Sequence, residues 1–141
     1  MILLDTNVLF EPLKPAYSQS VIDWLNAQRP ETLGTTTLTL AELYAGVERK
    51  PDGKAKQQLQ VELRSKLPLI VGDRVYAFDT TASECYARLT AETERKGRPL
   101  GTMDALIAAI ALARGLPVAT RDVQPFLDAG LRVINPWDHR P

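Results

Sequence analysis

Two hydrophobic patterns alternate along the chain. Short apolar runs at Ile2-Leu3-Leu4, Leu33 to Thr37, Val75 to Phe78, Val118-Ala119 and Leu131 to Ile134 read as strands. Between them lie stretches of helical spacing. Ser18 to Gln28 places Val21, Ile22 and Leu25 on one face, and Lys54 to Lys66 does the same with Leu59 and Leu63. Further helices are predicted from Thr39 to about Arg49, from Thr80 to Lys96, and from a Thr102 cap to Arg114, where Gly115 and Pro117 end it. Pro51-Asp52-Gly53 is a turn and Gly97 to Gly101 a loop. Strands separated by helices imply βαβ units and a parallel sheet, and strands this short and apolar imply cover on both faces. Residues 1–141 are read as one domain without repeats or a long linker.

Composition narrows the chemistry. Apolar residues make up 45% and charged residues 24% of the 141, which excludes disordered and fibrous classes. The longest apolar run, Ala105 to Ala113, is about half of the ~20 residues that cross a bilayer, so no membrane association is expected. The start Met1-Ile2-Leu3-Leu4-Asp5 lacks a basic segment, so no secretory leader is expected. A single cysteine, Cys85, forms no internal disulfide and fits the cytoplasm; it reads as a small core residue. Seventeen basic residues balance seventeen acids, against a general nucleic-acid coat. The only histidine, His139, stands two residues from the end. Imidazole-based catalysis and His-rich zinc sites are therefore excluded, and any chemistry falls to carboxylates.

Ligands of open α/β sheets bind beyond the carboxyl ends of the strands. Asp5 follows the first strand in Leu4-Asp5-Thr6-Asn7, where it also suits a helix cap. Glu42 stands after the second strand in Thr39-Leu40-Ala41-Glu42, a spacing that also matches a capping box. Asp104 is the only polar residue from Met103 to Ala113, a helix apolar on every face; a dipole-favoured acid in the first turn is the plainer reading. Asp122 follows the fourth strand in Val118-Ala119-Thr120-Arg121-Asp122, with a cap for Val123 to Leu127 as its alternative. Four carboxylates in low dielectric repel one another unless a cation neutralises them. An all-oxygen donor set selects Mg²⁺ or Mn²⁺. Thr6, Asn7 and Thr120 are short polar neighbours able to orient these acids or to make ordinary turns.

These motifs in this order resemble the PIN-domain ribonucleases, and within them the VapC toxins of bacterial toxin–antitoxin pairs. The opening Met1-Ile2-Leu3-Leu4-Asp5-Thr6-Asn7-Val8-Leu9-Phe10-Glu11-Pro12-Leu13 is similar to the FitB-type branch. The family's further acids resemble Glu42 in Thr39 to Gly46, Asp104 in Gly101 to Ala109, and Asp122 in Ala119 to Asp122, with Phe126 as the aromatic that follows. The fourth acid is often Asn in such proteins. The resemblance implies a three-layer α/β/α fold on a parallel sheet of about four or five strands. It implies metal-dependent endoribonuclease activity at Asp5, Glu42, Asp104 and Asp122, a homodimer, and inhibition by a small VapB-type antitoxin, with promoter DNA reached only through that antitoxin.

RNA requires positive charge. Glu48 to Lys66 carries six basic residues against three acids, and Lys50, Lys54 and Lys56 are the candidates there; Arg98, in the cluster Arg95-Lys96-x-Arg98, and Arg121 are the others. Each also suits a solvated surface. Leu40, Leu43, Tyr44 and Val47 with Leu59 and Leu63 form either a groove for an amphipathic antitoxin segment or ordinary core. A basic side chain from such a partner could reach the acidic pocket. Trp24 and Trp137 read as packing residues. Two other functions share the acidic pocket. An aspartyl phosphatase wants a second Asp where Asn7 stands, and a receiver-like Mg²⁺-binding signalling module wants paired acids where Asp5-Thr6 stands. Dinucleotide binding fails for lack of Gly-x-Gly-x-x-Gly.

Overall fold

The computed structural model describes residues 1–141. Strands β1 (Ile2–Leu4), β2 (Leu33–Thr36), β3 (Val75–Tyr76), β4 (Val118–Ala119) and β5 (Val133–Ile134) form one sheet in the order β3-β2-β1-β4-β5. Every pairing is parallel, with Ile2 opposite Leu33, Leu3 opposite Val118, Thr35 opposite Val75 and Val118 opposite Val133. The chain leaves β1 toward β2 and β3, then returns to the other side of β1 to lay down β4. The direction of winding therefore reverses between β1 and β4, and side chains just past those two strands border the crevice.

Seven α-helices flank the sheet: α1 (Thr6–Phe10), α2 (Gln19–Ala27), α3 (Thr37–Glu48), α4 (Lys54–Val71), α5 (Thr80–Arg95), α6 (Thr102–Arg114) and α7 (Val123–Asp128). Neighbouring strand residues serve opposite faces, as the pleat requires. Leu4 and Ala119 join Val8, Val21, Trp24, Leu43, Val47, Leu63 and Leu67 in one core beneath α1 to α4. Leu3 and Val118 join Leu89, Ile107, Ile110 and Phe126 in the other, beneath α5 to α7. Three layers follow, with five strands in the middle. The apolar helix α6 is buried from Ala105 through Ala111 except at half-buried Leu106, which accounts for its lack of a polar face. No helix is long and apolar enough to cross a membrane.

The boundaries depart from the sequence reading in physically informative ways. β3 and β5 are two residues each rather than four. Helix α1 was not foreseen, because five residues are too few to reveal a period. Helix α4 runs past Lys66 and through Pro68 to Val71, and ends at Gly72 with φ +57°. The cap of α6 is Gly101, not Thr102, which is already helical. Trp24 is core, as is Phe126, and Cys85 is half-buried on α5.

Candidate functional site

Asp5 is carried to the end of β1 and caps α1. Its Oδ1 accepts the Thr6 backbone N–H at 2.9 Å, and its Oδ2 accepts the hydroxyl of Thr120 at 2.8 Å. The capping role and the site role thus coincide in one side chain. Thr120, fully buried just past β4, also accepts from the Asn7 carboxamide at 3.3 Å and from the Asp122 N–H at 3.1 Å. The Asn7 Oδ1 accepts the Arg121 N–H at 3.1 Å. Asn7 and Thr120 together therefore fix the turn that presents Asp122.

Glu42 does not belong to a capping box. Helix α3 starts earlier than the sequence indicated: its cap is Thr36, whose hydroxyl takes the Thr39 N–H at 3.0 Å. Thr39 is therefore already inside the helix. Glu42 lies one turn further on and accepts the Thr6 hydroxyl at 3.1 Å. Asp104 sits in the first turn of α6, and Asp122 stands at the start of α7 without making a cap bond.

All four acids line a single cleft of about 480 Å³, together with Thr6, Asn7, Phe10, Gly46 and Lys50. Their electrostatics register the crowding. Burial raises the Asp5 carboxyl above its ordinary value; the bonds from Thr6 and Thr120 oppose this, and the Asp122 charge adds to it. Burial likewise raises Glu42, against the Thr6 hydroxyl, with Asp5 and Asp104 adding repulsion. Asp104 is raised by burial and by the charges of Asp5 and Asp122, and no protein donor offsets them. Lys50 shares the cleft and forms an ion pair with none of the four. No three of the four acids stand close enough to form a closed coordination cluster. The donors on offer are carboxylate and hydroxyl oxygens, a set suited to a hard divalent ion.

These features meet in a recognisable lineage. The PIN domain family model matches residues 2–130. The chain belongs to the PIN-domain family. Within it, the chain is 49% identical to the plasmid stability protein StbB of Pseudomonas syringae pv. tomato over 138 residues, covering 98% of this chain and 99% of that one. It is 45% identical to the VapC ribonuclease Y4jK of Sinorhizobium fredii over 139 residues, again covering 98% and 99%. The solved structure of FitAB bound to an IR36 DNA fragment superimposes with a TM-score of 0.93 at 33% identity, covering 100% of this chain and 99% of its counterpart. These matches place this PIN domain in the VapC and FitB branch.

The basic candidates separate on this PIN scaffold. Lys50 lines the carboxylate cleft, and Lys54 and Lys56 line its neighbour. The Lys56 ammonium is spent on the Glu48 carbonyl at 2.9 Å and on Asp52 at 3.1 Å. Arg98 pairs with Asp128 at 3.5 Å, and the Arg121 guanidinium lies 5.1 Å from the ring centre of Trp137. Leu43, Val47 and Leu63 are buried in the core, and Val47 and Leu63 also floor a concavity bordered by exposed Tyr44 and Arg64. Phe10 borders the cleft and was missed from sequence; it sits on the short helix α1, whose five residues carry no periodic signal.

Proposed function

We propose that the chain is a metal-dependent endoribonuclease, the toxin of a type II toxin–antitoxin pair, built as a single domain of 141 residues and working in the cytoplasm. The reading rests on the meeting of Asp5, Glu42, Asp104 and Asp122 in one cleft at the reversal point between β1 and β4. Asp5, Glu42 and Asp104 would hold Mg²⁺ or Mn²⁺, with Asp122 beside them. When bound, such a cation supplies Lewis acidity toward a phosphodiester and its attacking water.

The protein's own part is positioning. Asp5 has one donor on each oxygen, so its orientation is fixed before any ligand arrives. Glu42 is held through one oxygen by Thr6. Asp104 receives no protein donor and keeps both oxygens for a ligand. Lys50 brings the cleft a positive charge suited to a substrate phosphate. Full-length likeness to a VapC ribonuclease and to the toxin FitB supports RNA as substrate and a small antitoxin as inhibitor, and the reading includes a homodimer that meets promoter DNA only through the antitoxin.

The deciding experiment is induced expression followed by mapping of new RNA 5′ ends, with the Asp5→Asn form as control. New ends are expected with the parent protein alone. Identical ends with both proteins, or cleavage by purified protein that persists in EDTA, would overturn the reading.

A further inference from the structure

A second concavity of about 700 Å³ adjoins the carboxylate cleft. The two share a wall made of Phe10 and Lys50, so a chain molecule leaving the acids passes directly from one into the other. The charges along the second concavity are unevenly committed. Lys56 pairs with Asp52 at 3.1 Å, Lys14 with Glu11 at 3.2 Å, and Glu62 with Lys66 at 4.0 Å. Lys50 and Lys54 enter no ion pair. The furrow therefore begins at four carboxylates, crosses an aromatic side chain, and continues past two uncommitted cations.

We propose that this furrow holds the single-stranded RNA flanking the scissile phosphate on one side, with phosphates on Lys50 and Lys54 and a base against Phe10. The proposal rests on the ribonuclease reading and extends it from the acids to the substrate track. A polyanion gains nothing from the acids themselves, so its anchorage must come from cations next to them. Single strands are held by a basic groove combined with an aromatic platform, and this side of the cleft offers both in continuity, with two lysines rather than the single arginine, Arg64, that faces Tyr44 on the Val47 side. Of the other basic candidates, Arg98 faces Asp128 at 3.5 Å and Arg121 faces the Trp137 ring at 5.1 Å, and neither lines the two adjoining concavities.

The test uses full-length Asp104→Asn protein, so that binding is read without cleavage, and a short fluorescent single-stranded RNA titrated over a salt series. Adding Lys50→Ala and Lys54→Ala should weaken binding and flatten the salt slope by roughly 1.4, or about 0.7 for each lost phosphate contact. Phe10→Leu should weaken binding about tenfold, within the range for loss of one base stack. Arg29→Gln, at an exposed pair with Glu31 on a separate loop, should change neither quantity. Thermal melts check that the exposed lysine variants fold. In the cleaving protein, Lys54→Ala should raise KM more than it lowers kcat. An unchanged slope in the double-lysine variant, with the parent cleaving RNA, overturns the furrow and leaves the nuclease reading intact. Lysine variants that bind RNA normally but lose a co-expressed antitoxin also overturn it, assigning the furrow to a protein. A parent protein that neither binds nor cuts RNA sinks both.

Discussion

The buried Thr120 hydroxyl donates to Oδ2 of Asp5 across 2.8 Å, joining residues 115 positions apart at the ends of two adjacent strands. Oγ1 of Thr120 in turn accepts from the Asn7 carboxamide and from the Asp122 N–H. Thr120→Val keeps the shape and removes the hydroxyl. Losing a hydrogen bond to a charged group should cost about 2 kcal/mol of stability. Cleavage should fall roughly tenfold or more, the usual penalty for removing a group that orients a metal-site carboxylate. Thr120→Ser should recover most of both. Denaturant titration and cleavage rates of the two variants check this.

Asp5→Asn and Asp104→Asn should each abolish RNA cleavage. Their effects on stability should differ, because the two carboxylates are held so differently. Asp5 loses well-formed acceptor bonds, whereas Asp104 loses only burial and repulsion. Asp104→Asn is expected to raise the melting temperature of metal-free protein, by roughly 3 °C for each ~1 kcal/mol. Turnover by either purified variant would contradict the assignment.

Asp5, Glu42 and Asp104 all carry raised carboxyl pKa values. The native state consequently binds more protons than the unfolded chain between the ordinary carboxylate range and those raised values. Metal-free stability should decline as pH rises through that window, and the full penalty remains above it. Melts in EDTA from mildly acidic to neutral pH should show the decline, and the slope should be shallower in Asp104→Asn. Divalent cation should raise the neutral-pH melting temperature of the parent protein. A parent whose metal-free stability rises across that window would refute the account.

Gly46 lies inside α3 and lines the carboxylate cleft, with nothing within 4 Å of where a Cβ would stand. Gly46→Ala should stabilise the helix by about 1 kcal/mol. Gly46→Leu should retain the fold while its side chain enters the cleft and slows cleavage. Parallel melts and rates separate the two effects. Full activity in the leucine form would show that the substrate does not use this wall.

Sequence carried the architecture where periods were long or strands wholly apolar. Ile2–Leu4, α2, α5 and the buried α6 were all legible, as was the placing of acids after strands. Helix α1 was hidden because one turn and a half shows no period. The extension of α4 was hidden by Pro68, which normally signals an end. The capping-box pattern at Thr39-x-x-Glu42 misled because Thr36, three residues earlier, offers the same chemistry and an extended backbone. The joint placement of Asp5, Glu42, Asp104 and Asp122 already points to one acidic pocket, and β4 pairing with β1 brings Asp122 to it. The basic side chains were least legible: local sequence does not say that Lys56 and Arg98 are engaged while Lys50 and Lys54 remain free.

The position of β1 at the centre of the sheet has a consequence for how the protein comes into being. Its partner on one side, Val118–Ala119, is synthesised more than a hundred residues after it. Until then Asp5 lacks Thr120, and the acid brought by α7 has no wall to sit against. A chain lacking β4 would therefore lack the wall that orients Asp5 and presents Asp122, and the cleft would not form.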